Sequence, residues 1–310
     1  MLKQRVITAL ILMAILLPTL AAQAAWPFAA FTLVLTVAAG WEWSRLNDAP
    51  GVRAWLMGAA VAAVCLILAD RLGLPVWGEA TTKASSVEAA AQHVHAWGHP
   101  LVGFSTPAGI WLVALVMWVL GGAATLRYGT AHWKSVPPIA RRLLGLIVLV
   151  PAWLAMVESK VQGLNYLLSV MCLVWAADIG AYFGGKTFGK RKLAPSISPG
   201  KSWEGVVAGL LAVVLLAAGW IWVDRNMSVD SPSMYSRLLL GLGPAGMLLA
   251  LAFLGAMSVV GDLFESLIKR QAGAKDSSQL LPGHGGVLDR VDALLPVLPL
   301  SLALMTLCHG

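Results

Sequence analysis

Charge is the scarcest property of this sequence. Only 12% of its 310 residues are Asp, Glu, Lys or Arg, where a soluble domain carries about 25%. That deficit, with 58% hydrophobic residues and a mean hydropathy of +0.77, excludes an ordinary soluble globular domain. Cysteine is nearly absent as well. Cys65, Cys172 and Cys308 each sit in an apolar run without CxxC spacing, so neither a disulfide framework nor a thiolate metal site is implied. The apolar runs do not alternate with polar residues, which excludes a membrane β-barrel. No internal repeat of the transporter kind is present, and no polar stretch is long enough to fold as a soluble domain. The GxxxxGK[ST] pattern is missing too, so a Walker-type phosphate loop is not supported.

What is there is a series of continuous apolar runs. Nine candidate spans fall at 5–24, 27–46, 54–73, 104–126, 140–157, 162–183, 204–223, 239–261 and 290–308, each near the length that crosses a bilayer. The expected fold is all-α: a polytopic integral membrane protein. Lys3 and Arg5 ahead of the first run resemble a signal peptide, but the run continues past Pro18 and more spans follow, so the first helix is expected to be retained. The 74–103 connection is long. Its Val87, Ala91, Val94 and Trp97 suit an amphipathic helix on the outer surface. His93, His95 and His99 lie there, but no acid or Cys completes a ligand set. Trp26, Trp41, Trp43, Trp133, Trp203 and Trp222 lie near span ends, where indole favours the interface.

The formal net charge of +7 would suit nucleic acid in a soluble protein. Here the distribution of the cations points to membrane topology instead. With the N-terminus placed in the cytoplasm, seventeen of the 22 Lys and Arg fall in cytoplasmic segments and five outside. The positive-inside bias therefore favours an N-in, C-out chain. It also puts the 186–201 loop and the 266–292 segment on the cytoplasmic side. We divide the chain into an N-terminal transmembrane region, 1–160, and a C-terminal catalytic region, 161–310.

Polar chemistry concentrates in that second region. Asp178 lies inside an apolar span, where an ionisable group is costly without a partner or water. Gly180, Gly184, Gly185 and Gly189 follow and permit close backbone approach. The Gly/Lys/Ser loop after them, with Ser198, Lys201 and Ser202, is a candidate phosphate cradle, and Ser202 suits the cap of the next helix. Asp262 and Glu265 end the eighth span. Ser266 to Asp292 then holds Lys269, Arg270, Lys275, Arg290, Asp276, Asp289, Asp292, His284, Gly285 and Gly286 within 27 residues. Asp289 and Asp292 begin the ninth helix three apart and share a face. Two readings stand for them: ligation of a hard cation with Asp262, or pairing with Arg290 and Lys275. The two glycines allow a turn whose amides point at an anion, with His284 donating beside them.

The spacing S-x-x-K-R-x4-K-D-x-S-x2-L-P-x-H-G-G-x2-D-R-x-D, filled from Ser266 to Asp292, resembles the signature of the phosphatidate cytidylyltransferases (CDP-diacylglycerol synthases). The SPGKSWEG run from Ser198 and Gly261-Asp262-Leu263 resemble further marked regions of that family. The likeness is specific over about the last 140 residues. It implies the reaction CTP + phosphatidate → CDP-diacylglycerol + diphosphate, in phospholipid biosynthesis, by a homodimeric inner-membrane protein whose site faces the cytoplasm. It implies Mg²⁺, alone or with a second metal ion, held by Asp262, Asp289 and Asp292. Expected catalytic residues are Asp289, Asp262, Lys275, Arg290 and His284. Expected substrate contacts are Ser198, Lys201, Ser202, Ser266, Lys269, Arg270, Gly285, Gly286 and Asp178. Rival readings are another CTP-using lipid cytidylyltransferase, a polyprenol kinase, or a membrane transporter.

Overall fold

The structure, a computed structural model, describes residues 2–74, 76 and 106–308. The outer connection expected at 74–103, with its three histidines, lies outside the described residues except for 74 and 76. The helices are α1 (Leu2–Ala21), α2 (Trp26–Leu46), α3 (Val52–Arg71), α4 (Ala108–Trp133), α5 (Pro138–Gln162), α6 (Leu164–Phe188), α7 (Trp203–Asn226), α8 (Met234–Gln271), α9 (Leu288–Val291) and α10 (Leu294–Cys308). Eight of the nine apolar runs fall mainly on one helix each, and the ninth, 290–308, covers the end of α9 and the whole of α10. Among the described residues seven helical segments, α9 and α10 counting as one, are long and apolar enough to cross a membrane, against nine expected; α2 is not among them and the apolar part of α4, Ala108–Ala124, is shorter. The molecule is thus an all-α polytopic membrane protein.

Local sequence explains the helix ends. Pro27 opens α2 and Pro138 opens α5, where a missing N–H costs nothing. The Ser202 hydroxyl accepts from the Gly205 amide at 3.2 Å and caps α7, as expected. Ser233 caps α8 through the Ser236 amide at 3.2 Å. A straight helix of the 38 residues in α8 would be about 57 Å long, against a hydrocarbon core of about 30 Å. Gly243, with φ 68°, and Pro244 break it. The long second half then carries Asp262, Glu265 and Lys269 beyond the apolar run.

Three features depart from the sequence reading. The 186–201 loop is not irregular throughout: β1 (Lys192–Ala194) and β2 (Ser198–Ser202) form a small antiparallel hairpin. The glycines of α6 serve helix packing. A Cβ on Gly180 would sit 2.7 Å from the Ala212 methyl, and one on Gly184 would overlap Ala208, so α6 and α7 approach closely through small residues. Finally, Trp43 and Trp133 are not interfacial. They pack with Trp118 around Phe264, at ring-centroid distances of 5.9, 5.7 and 5.6 Å for Trp43, Trp133 and Trp118. Their indole nitrogens donate to the Arg141 carbonyl at 2.9 Å and to Asn47 Oδ1 at 3.0 Å. Trp26, Trp203 and Trp222 are exposed.

The two ends of the bundle differ. At the start of α6 and the end of α7, buried Asp224 accepts from Asn165 Nδ2 at 2.8 Å, the Ser233 amide at 3.0 Å and Ser236 Oγ at 2.5 Å. This network satisfies its polar groups and closes that end. The hairpin, the end of α8 and the loop into α9 gather at the other.

Candidate active site

A cavity of about 450 Å³ opens between α6, the hairpin, α7 and α8. Its lining includes Asp178, Tyr182, Lys186, Ser198, Lys201, Ser202 and Asp262. The expected substrate contacts Ser198, Lys201, Ser202 and Asp178 thus meet Asp262 here, whereas the other expected site residues lie outside this lining. Lys201 Nζ lies 2.6 Å from Asp262 Oδ2, and both side chains are largely but not wholly covered. Asp262 Oδ1 accepts from Ser266 Oγ at 3.3 Å. Asp178, Asp262 and Asp292 are close enough to repel one another, and Lys201 offsets that repulsion at Asp178.

A second ionic cluster lies deeper. Lys269 Nζ sits between Glu265 Oε2 at 2.5 Å and Asp289 Oδ1 at 2.6 Å. Side-chain exposures of 13%, 4% and 8% make this a buried triad. Lys269 is therefore committed to two carboxylates and not free for a phosphate. The other oxygen of Asp289, Oδ2, accepts from the Ser277 amide and hydroxyl, each at 2.9 Å, and from the Gly286 amide at 2.8 Å.

This geometry corrects two expectations. The amide of the His-Gly-Gly turn does point at an anion, but that anion is the chain's own Asp289. The cation paired with Asp289 is also Lys269 rather than Arg290 or Lys275, while Asp289 and Asp292 stay one helical turn apart, because Asp292 ends α9 in helical backbone with its amide on the Leu288 carbonyl at 3.0 Å. Asp289 turns to Lys269 and the loop, whereas Asp292 lies close enough to Asp262 to be repelled by it and accepts from the Ala293 amide at 2.8 Å.

The remaining signature residues divide. Arg290 donates through Nε, at 2.9 Å, and Nη2 to the His284 carbonyl, so it braces the turn. Arg270 Nε reaches the Ile197 carbonyl in the hairpin at 3.5 Å. Lys275 and Asp276 line a separate cleft of about 630 Å³ with Arg45. Gly285, at φ 86°, holds a turn closed by the Leu281 amide on its own carbonyl at 2.9 Å. The buried Nδ1 of His284 has no hydrogen-bond partner among the described residues.

One residue of this end escaped the sequence reading. Glu42, in α2, is fully buried and accepts four hydrogen bonds from the signature loop. The signal was available: it is the first acid in the chain and lies within an apolar span, the argument applied to Asp178.

Among the described residues no three His, Cys, Asp or Glu side chains converge tightly enough to hold a metal ion. The donor chemistry nonetheless suits a hard cation at Asp262 and Asp292, two mutually repelling carboxylates whose remaining ligands are left to water and phosphate. Asp289 fits that role less well, because four donors already hold its two oxygens, whereas Asp262 has one ion pair with Lys201 and one longer hydrogen bond from Ser266.

Fold and site together define a polytopic α-helical membrane protein with a carboxylate-lined polar cavity at one end. Residues 3–308 match the cytidylyltransferase family, and the chain belongs to it, as a nucleotidyltransferase. It is 40% identical over 310 residues to a phosphatidate cytidylyltransferase of Pseudomonas aeruginosa, covering 98% of this chain and 97% of that one. It is 34% identical over 314 residues to the Haemophilus influenzae protein of the same name, covering 96% of each. A Staphylococcus aureus phosphatidate cytidylyltransferase matches at 43% over 144 residues, 46% of this chain and 50% of that one.

Proposed function

We propose that this chain transfers the cytidylyl group of CTP to phosphatidate, releasing diphosphate and forming CDP-diacylglycerol. The observation that carries the reading is the cavity joining Lys201 and Asp262 at the edge of the helix bundle, in a chain that aligns end to end with two phosphatidate cytidylyltransferases. The cation distribution supports a cytoplasmic orientation of this end, in the inner membrane, with the N-terminus inside. CTP then arrives from water and phosphatidate from the inner leaflet.

A phosphatidate oxygen attacks the α-phosphorus of CTP, a new P–O bond forms, and the bond from that phosphorus to the β-phosphate bridge breaks. The nucleophile is already ionised, so no strong base is required. The barrier is dominated by repulsion between anions. Lys201 and Lys186 answer it with positive charge inside the cavity, and the hydroxyls of Ser198 and Ser202 supply donors. Asp262 and Asp292 would hold Mg²⁺, which supplies charge neutralisation on the phosphates and orients the leaving group. Asp289 and Lys269 keep the loop and α9 in register with the cavity. Lys275 and Arg45, in the neighbouring cleft, are placed for the polar headgroup region or the leaving diphosphate. The homodimer that the family resemblance implies belongs to the same proposal, and light scattering in detergent measures it.

The test is an acceptor and product comparison in detergent. Phosphatidate, a polyprenol and diacylglycerol are each offered with CTP, and diphosphate and CDP are measured. Diphosphate release with phosphatidate alone supports the proposal. CDP release with a lipid alcohol would replace it with a kinase.

A further inference from the structure

Glu42 lies 235 residues before Ser277, yet it touches both ends of the signature loop, 277–288. Its Oε1 accepts from Ser278 Oγ at 2.5 Å and from the Val287 amide at 2.9 Å. Its Oε2 accepts from the Leu288 amide at 2.7 Å and from Ser277 Oγ at 3.2 Å. The side chain is 0% exposed, and among the described residues no Lys or Arg lies within ion-pair distance of it. A buried carboxylate without a cation is costly unless donors surround it, and here four do.

The donors sit at informative places. Val287 and Leu288 begin α9, a helix of four residues with no side-chain cap of its own, so Glu42 supplies the missing acceptor from another helix. Ser277 and Ser278 enter the loop, and Ser277 Oγ also contacts Asp289. A Cβ on Gly286 would collide with Ser277 Oγ and Glu42 Oε1, so a glycine there is a consequence of how closely Glu42 is seated. The stretch so clamped leads directly into Asp289 and Asp292, the first tied to Lys269 and the second facing Asp262.

We propose that Glu42 is a positioning residue of the nucleotidyl-transfer site. It fixes the two ends of the signature loop and the start of α9, and through them the orientation of Asp289 and Asp292. The catalytic part of this proposal rests on the cytidylyltransferase reading. The clamp itself does not.

Glu42→Gln tests both parts. The amide has the same shape, but its NH₂ would face backbone N–H donors that have no acceptor to offer, so one side of the clamp is lost. On monodisperse protein with an unchanged melting temperature, kcat with CTP and phosphatidate is expected to fall about 100-fold, the scale of a small misplacement of reacting groups. The KM for CTP stays within about threefold. Hydrogen exchange at residues 287 and 288 is expected to accelerate, whereas α10 stays protected. Glu158→Gln, at a comparably buried acid bonded to Thr106, should lower stability and leave kcat unchanged. If Glu42→Gln does not fold, Ser278→Ala decides. It removes one of the four donors, and kcat is expected to fall about tenfold, as for one hydrogen bond to a charged group. Wild-type kcat and wild-type exchange in the folded variant would overturn the proposal. Failure of the wild-type protein to release diphosphate would instead overturn the functional reading, and the exchange measurement would still decide the clamp.

Discussion

Lys201 Nζ lies 2.6 Å from Asp262 Oδ2, joining strand β2 to helix α8 across the cavity. The pair is partly open to solvent, so it contributes little to stability, and its position argues for a role in binding phosphate. Lys201→Met is expected to lower kcat/KM for CTP about 100-fold, within the range for loss of one charge contact in the transition state, and to shift the melting temperature by no more than a few degrees. Steady-state kinetics beside a detergent melting curve checks both. A stable variant with unchanged kcat/KM would remove Lys201 from the phosphate contacts.

Lys269 behaves oppositely because it is buried between two carboxylates. Lys269→Met leaves Glu265 and Asp289 without their cation, and breaking such a buried pair costs about 3–5 kcal/mol. The expected outcome is a large fall in melting temperature and poor yield. Adding Glu265→Gln to Lys269→Met should recover part of the loss, which a thermal-shift comparison of the single and double variants would show.

Asp289 and Asp292 should separate in their response to magnesium. Activity is expected to vanish with EDTA and return with Mg²⁺. In Asp262→Asn and Asp292→Asn, the Mg²⁺ concentration for half-activation rises at least about tenfold, since a direct ligand is lost. In Asp289→Asn, activity falls but the half-activating concentration stays put, because Asp289 is engaged by Lys269, Ser277 and Gly286. Equal Mg²⁺ shifts in all three variants would return Asp289 to the metal.

Gly286→Ala places a methyl group on Ser277 Oγ and against Glu42. Neither neighbour can withdraw without breaking its own hydrogen bonds. Activity is expected to fall about 100-fold, the cost of a displaced site. Gly200→Ala is a fair comparison, since nothing lies within 4 Å of a Cβ there. Parallel activity assays of the two variants check the contrast.

Much of this was legible in the sequence because bilayers impose a simple code. The apolar runs mark where the long helices lie, though fewer of them than nine meet the length and hydropathy of a span, and Ser202 before Trp203–Glu204 marks the start of α7. The cavity residues Asp178, Lys201 and Asp262 were also visible, as ionisable groups where charge is rare. What stayed hidden depends on pairing between distant segments. Only the fold shows that Lys269 faces Glu265 and Asp289, that the amide of Gly286 serves Asp289, or that Trp43 and Trp133 enclose Phe264. The glycines of α6 permit close approach without showing what approaches, and the contacts with Ala212 and Ala208 show that Gly180 and Gly184 serve packing against α7. Glu42 is hidden in the sequence because it stands alone in the apolar run of α2, 235 residues before the Ser277 that it binds.

The central claim is tested most directly by following the phosphorus. Purified protein in detergent is given phosphatidate, Mg²⁺ and CTP labelled either at the α- or at the γ-phosphorus. The account expects the α label to pass into the organic-extractable lipid and the γ label to remain in water as diphosphate. A γ label recovered in the lipid, or no lipid label from either position, would contradict it.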